Sequence, residues 1–518
     1  MSLGSRLNIP SSWRRALGQG SLRSNALANL VARVVMAGLA LVAIPILVGA
    51  LGPEAYGLVG LGLAMESLLA LLDFGLSVSV NREMARNVAS DQPPQVNRDL
   101  LRTLEIVYWP IGLTILALMV GGAGWLAEHA VRPTTLSYDT VRFAFVMLGL
   151  GFAARWPISL YQGVLRGLQT QVLMNVIRIA GSVFRVLGGV AAVLLIAPTI
   201  RVFFIVQFLG SIFELVLITG AAWKTLTVGY RRPRSKAAFI RSIWRFALGF
   251  GALSILTQLL YWSGILAVAR SLPLEEAGFY TVALSLASLV MFVPFAIYDA
   301  AFPRFAGQAQ LKDTTGFKET FQNSLFVSTL WSVMIGMPIV FFTSDILYLW
   351  TRSESVAAGA SLAASVLALG YLAYQFWFMY YAALTAAGMI RFPLVLTVCV
   401  VPIALVATVM SVGSKGAAGP AAVLSISNLV LAIGYVGYSL KAGWASETAA
   451  GAARAIGLLL SSAAIFFGVS ALSGDSSTLV RLSAAIAASL GSLAVAWFWL
   501  RPQGLRLPWE PELSARRG

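Results

Sequence analysis

Cysteine, histidine and charge are all scarce in this chain of 518 residues. Its one cysteine, Cys399, cannot close an internal disulfide, and one cysteine with one histidine, His129, cannot assemble a Cys/His metal centre. No metal site is expected. Charged residues make up 11%, against roughly a quarter in an ordinary soluble domain. The phosphate-binding pattern GxxxxGK[ST], the metalloprotease pattern HExxH and the hydrolase elbow GxSxG are all missing. ATP hydrolysis and those hydrolytic chemistries therefore have no support. No catalytic residue and no organic cofactor is expected, and the chain does not read as an enzyme.

Hydrophobic residues, by contrast, make up 58%, spread along the whole chain as continuous apolar runs. Crossing a bilayer takes about 20 such residues as a helix. A membrane barrel would alternate apolar and polar residues over about ten positions instead. In lipid every backbone N–H and C=O needs an internal partner, so continuous runs of this length mean helices. Fourteen spans are predicted: 26–50, 57–80, 104–126, 142–165, 172–196, 202–223, 246–270, 278–302, 322–345, 360–385, 392–412, 419–440, 455–473 and 479–500. The fold class expected is an all-α polytopic membrane protein.

The net charge of +16 would suit nucleic acid if it were clustered on a soluble domain. It is distributed otherwise. With the N-terminus inside, the internal loops and tails hold 26 of the 37 Lys and Arg, the external loops 6 and the spans 5. This is the positive-inside bias of a membrane protein, with both termini cytoplasmic. The partners expected are membrane lipids, with the basic surface facing anionic headgroups, and no nucleic acid.

The most basic loop, 224–245, separates six spans from eight. LGPEAYG at 51–57 follows the first span, and LPLEEAG at 272–278 follows the seventh. Both read L-x-x-E-x-x-G, offset by 221 residues. Six helices per repeat keep the same orientation, which implies two six-helix lobes with pseudo-two-fold symmetry about the membrane normal and a cavity between them. The division expected is 1–230 for the first lobe, 231–445 for the second, and 446–518 for two extra C-terminal helices and a cytoplasmic tail.

Residues 25–86 carry a further pattern. Asn25 and Asn29 precede or open the first span, and Pro45 lies within it. LGPEAYG, LLDFGL at 71–76 and NREMAR at 81–86 follow, and YQGVLRGLQ at 161–169 forms the turn between spans four and five. This resembles Wzx-type O-antigen flippases and polysaccharide exporters of the multidrug/oligosaccharidyl-lipid/polysaccharide (MOP) superfamily. The resemblance implies alternating access in a bacterial inner membrane. It also implies flipping of an undecaprenyl-diphosphate-linked oligosaccharide from the cytoplasmic to the periplasmic leaflet, and polysaccharide-assembly proteins as partners. Related families export drugs or flip the peptidoglycan precursor.

Charges inside spans are costly and usually line a cavity or a protein interface. Four of the five intramembrane arginines, Arg33, Arg155, Arg178 and Arg185, lie in the first half. Asn175, Arg178, Ser182 and Arg185 share one helix face, and Asn25, Asn29 and Arg33 stack on another. Guanidinium binds phosphate oxygens bidentately and stays charged, so Arg33, Arg155, Arg178, Arg185 and Asn29 are substrate-binding candidates. The competing reading is pairing with Glu66, Asp73, Glu214 or Asp299. Glu66 and Asp73, seven apart on span two, are candidates for coupling to a proton or sodium gradient, although Asp73 could instead fix a turn. Span ten crowds aromatics in YLAYQFWFMYY at 371–381, and Tyr374 and Gln375 are the candidate sugar contacts there. Two rivals to the flippase stand beside it. One is a cation-coupled multidrug exporter on the same fold. The other is a membrane-embedded sugar polymerase or ligase, which would need a large external catalytic loop that this sequence does not contain.

Overall fold

The computed structural model describes residues 22–73, 76–90, 92–226, 255–441, 445–474 and 476–500. Twelve helices among the described residues are long and apolar enough to cross a membrane. The architecture is an all-α, multi-pass membrane fold. Two of the fourteen predicted spans fall outside those twelve. Span seven is described only over 255–271, and its beginning lies outside the described residues. Span two is broken. A helix over Pro53–Ala70 runs into a 3-10 turn at Leu71–Asp73, and a second helix covers Leu76–Ala89. Asp73 Oδ2 accepts from the Ser77 backbone N–H at 3.1 Å and its hydroxyl at 2.7 Å, so this carboxylate caps the second segment.

The chain divides into two compact units: Met1–Gln258 with Pro273–Gly278, and Leu259–Leu272 with Phe279–Gly518. The boundary expected at residue 230 lies outside the described residues. In the first unit we label the helices α1 (Leu22–Leu51), α2 (Pro53–Ala70), α3 (Leu76–Ala89), α4 (Pro94–His129), α5 (Tyr138–Gly167), α6 (Gln171–Leu195) and α7 (Ile200–Thr225). Helix α5 is its centre, packing on α3, α4 and α7, while α6 packs on α1 and α7. Gly163 and Gly167, four apart on α5, let α3 approach at Ser77, Val80 and Asn81; small residues at this spacing are how helices close without a hydrophobic driving force in lipid. The second unit is built on the helix Glu354–Ala386, which packs on Thr314–Phe341 and Ala418–Lys441. The last two helices, Ala445–Ser473 and Thr478–Leu500, pack on each other and on Thr314–Phe341 through Phe326, Leu458 and Ala496.

The two L-x-x-E-x-x-G segments meet within the first unit. Gly57 faces Gly278, and a Cβ on Gly57 would lie 3.0 Å from the Gly278 nitrogen. A Cβ on Gly278 would overlap the Pro53 carbonyl. Leu274 N–H donates to the Arg132 carbonyl at 2.9 Å, tying the second segment to the loop between α4 and α5. That loop is held in turn by Glu54. Its carboxylate accepts from the backbone N–H groups of Thr134 at 2.6 Å, Thr135 at 2.9 Å and Leu136 at 3.4 Å, and from both threonine hydroxyls.

Burial pushes the Glu54 carboxyl up, but the hydrogen bonds from the Thr135 side chain and the three backbone N–H groups outweigh it. The group sits below its usual range, so the charged form is the one the loop binds. A depressed carboxyl stabilises above its unfolded value and loses that contribution as pH falls through the folded value. Glu54→Gln is expected to cost about 2 kcal/mol at neutral pH, the range for hydrogen bonds to a charged group. It should also remove the acid-dependent loosening of residues 134–136 below about pH 4. Hydrogen exchange of that loop against pH checks both; an exchange profile identical in the variant would contradict the assignment.

Candidate functional site

The polar interior of the first unit draws residues from all seven of its helices. A cavity of about 270 Å³ opens there, lined among others by Glu66, Asp73, Arg155, Trp156, Gln162 and Arg166. From Phe152 to Arg166 along α5 is about 21 Å at the helical rise, so the cavity runs along nearly half of that helix.

Its charges are mostly engaged. Arg155 Nη1 lies 2.7 Å from Glu66 Oε2, with the guanidinium 5.7 Å from the centre of the Phe152 ring. Both partners remain part-exposed, at 21% and 33% for the side chains, so the cavity reaches them. Arg185 pairs with Glu214, and both are deeper, at 14% and 6%. Arg178 Nη1 donates to Asn175 Oδ1 at 3.2 Å. Asn175 donates to Asn29 at 2.6 Å, and Asn29 to Gln171 at 2.7 Å. The two polar stripes predicted on spans one and five thus join across the α1–α6 contact. Arg178 lies within electrostatic reach of Glu214, Arg33 and Arg185.

Asp73 accepts from Tyr108 Oη on one oxygen and from Ser77 twice on the other, while Ser159 Oγ, 3.4 Å away, donates its one hydrogen to the Trp156 carbonyl at 3.0 Å. Three donors, Tyr108 Oη and the Ser77 N–H and hydroxyl, hold this carboxylate to α3 and α4. These contacts are those of a carboxylate that fixes a turn, while Glu66, also on the cavity wall, pairs with Arg155.

The second-unit candidates part ways. Tyr374 sits half-buried in an aromatic cluster with Phe295, Tyr371, Trp377 and Phe378. Gln375, the other candidate, is 0% exposed in this structure, its Oε1 accepting from Ser328 at 2.9 Å and its Nε2 donating to Thr329 at 3.1 Å. That amide is a core cross-link, because a buried amide must spend its donors and acceptor inside.

Two residues that sequence reasoning passed over complete the site. Arg166 was expected in an internal loop, yet it belongs to the last turn of α5 and lines the cavity. Its position inside YQGVLRGLQ was the available signal. Glu105, 4% exposed, binds Tyr161 at 2.9 Å, Trp223 at 2.8 Å and Arg102 at 3.0 Å, joining α4, α5 and α7 below the cavity. No group of His, Cys, Asp and Glu suited to a metal ion occurs among the described residues.

Comparison with known proteins follows this geometry. The family model described as "Polysaccharide biosynthesis protein" matches residues 22–308, and a second, MatE, matches 252–410. No curated protein matches the sequence. Among solved structures, an inward-facing multidrug resistance MATE family transporter of the MOP superfamily is 17% identical, covering 81% of this chain and 99% of its own at a TM-score of 0.67. The lipid II flippase MurJ, in an inward closed conformation, is 10% identical over 92% of this chain and 99% of its own, also at 0.67. A MOP superfamily transporter from Pyrococcus furiosus, described as having a binding pocket of reverse polarity, is 16% identical over 82% of this chain and 97% of its own, at 0.56. These three are transporters, and at such identities they establish the fold. The chain belongs to the polysaccharide biosynthesis protein family and is built on the fold of MOP-superfamily membrane transporters.

Proposed function

We propose that this protein moves a lipid-linked oligosaccharide bearing an anionic group across the membrane by alternating access. Undecaprenyl diphosphate is the expected carrier and the expected direction is from the cytoplasmic to the periplasmic leaflet. The observation that carries this reading is the charge of the first unit's interior. Arg155 and Arg166 line the cavity with Glu66 and Asp73, and Arg178 and Arg185 lie nearby with Glu214; among the described residues Arg166 and Arg178 have no carboxylate within ion-pair distance. An interior with surplus guanidinium favours an anionic cargo and disfavours a cationic one. The family match over 22–308 supports the polysaccharide setting.

A cation-coupled multidrug exporter is the second reading. The MatE match and the likeness to multidrug transporters favour it, as does Glu66 facing the cavity. The two readings separate on depletion of the protein in its native cell. A flippase gives accumulation of complete lipid-linked oligosaccharide on the cytoplasmic leaflet, and the mass of that lipid names the glycan. Unchanged lipid-linked pools, with normal surface polysaccharide and raised drug sensitivity, would put the exporter in its place.

A further inference from the structure

Among the described residues, two arginines of the first unit are not paired with a carboxylate. Arg166 Nη2 donates to Gln162 Oε1 at 3.1 Å, and Arg178 Nη1 donates to Asn175 Oδ1 at 3.2 Å. Both partners are neutral amides. Among the described residues neither guanidinium has a carboxylate oxygen within 4.0 Å, whereas Arg155 has Glu66 and Arg185 has Glu214. Arg166 and Arg178 also lie within electrostatic reach of each other. Asp73 is near enough for Arg166 to feel its charge, but it lies beyond ion-pair distance and is held by Tyr108 and Ser77. Glu214, which Arg178 feels, is taken by Arg185, and Arg33 and Arg185 add further positive charge beside Arg178.

Guanidinium does not shed its proton, so two part-buried ones within reach of each other repel. The amides around them, Gln162 and the Asn175–Asn29–Gln171 chain, hold geometry and neutralise nothing. Such an arrangement is completed by an anion from outside the chain. Arg166 lines the cavity, which gives that anion its approach. Two planar forks also match the paired oxygens of a diphosphate or a carboxylate.

We propose that Arg166 and Arg178 form an oxyanion-binding site where α5 meets α6, completed by a diphosphate or an acidic-sugar carboxylate of the ligand. Its identification as a cargo site rests on the transport reading above; the anion site itself does not. Arg155 and Arg185, by contrast, hold the unit together through their carboxylates.

The test uses the full chain in nanodiscs, titrated calorimetrically with inorganic pyrophosphate and, separately, with glucuronate. At least one probe should bind the wild type saturably, with an affinity that falls as salt rises. Arg166→Gln and Arg178→Gln should each weaken it by more than tenfold. Arg166→Lys and Arg178→Lys keep the charge and the fold but lose the fork, and should fall between. Arg481→Gln, which removes one charge from the second unit, should leave affinity within threefold. Pyrophosphate as the stronger probe assigns the site to the lipid diphosphate, and glucuronate assigns it to an acidic sugar. Absence of binding by both probes, or glutamine variants that bind as wild type does, would overturn the site. Saturable binding without any change in lipid-linked pools on depletion would keep the site while removing the flippase reading.

Discussion

Glu214→Gln is expected to destabilise the protein by about 3–5 kcal/mol, the cost of stranding a buried charge by removing its partner. Arg185 is 14% exposed and Glu214 6% exposed, and they meet between α6 and α7 in the membrane interior. Gly181 leaves room for the carboxylate against α6, since a Cβ there would lie 2.9 Å from Glu214 Cβ. With the carboxylate gone, Arg185 remains charged, close to Arg155 and Arg178, with nothing to offset it. Membrane expression and thermal unfolding of the purified variant should both fall sharply. The double variant Arg185→Met/Glu214→Met should recover most of the loss, because replacing a whole buried pair by apolar residues of similar volume is often neutral or better. A single variant as stable as the double one would show that the pair is not structural.

Gly278→Val should produce the other large effect. Gly278 packs where the Pro53 carbonyl leaves no space for a methyl, and Gly57 faces it from the first segment. Overpacking typically costs about 1–3 kcal/mol. Here the atom in the way is backbone at the start of α2, which cannot rotate aside, so the upper part of that range is expected. The change should also free residues 272–278, because Leu274 can no longer hold its hydrogen bond to Arg132. Faster hydrogen exchange over 272–278, together with a lower unfolding temperature, is the expected signature. Unchanged exchange there would mean that the repeated motif is not a contact.

Much of this architecture was legible before any coordinates. Apolar runs marked the membrane helices, since no other segment can satisfy its backbone in lipid. The echo between 51–57 and 272–278 pointed to related halves, and the structure adds that the two echoes touch. Three of the intramembrane polar residues singled out by sequence, Glu66, Asp73 and Arg155, line one cavity. Partner choice was not legible. Helical spacing placed Arg178 and Arg185 on one face but could not say that only Arg185 reaches a carboxylate on α7. Hydropathy put Arg166 past the end of its span, although α5 runs to Gly167 and carries it into the cavity. Gln375 stood out by its polarity in an aromatic run, and that polarity is consumed by Ser328 and Thr329. Span two read as one apolar stretch because a side-chain cap such as Asp73 on Ser77 leaves no mark on hydropathy.

The central claim is movement of an anionic glycolipid, and reconstitution tests it most directly. Purified protein in proteoliposomes, loaded with undecaprenyl diphosphate carrying a labelled oligosaccharide, is assayed for transfer between leaflets by an impermeant reagent that modifies the sugar. The account predicts protein-dependent transfer that Arg178→Gln reduces by about tenfold or more, a difference of roughly 1.4 kcal/mol. Transfer no faster than in empty liposomes, or transfer that ignores the charge at residue 178, would contradict it.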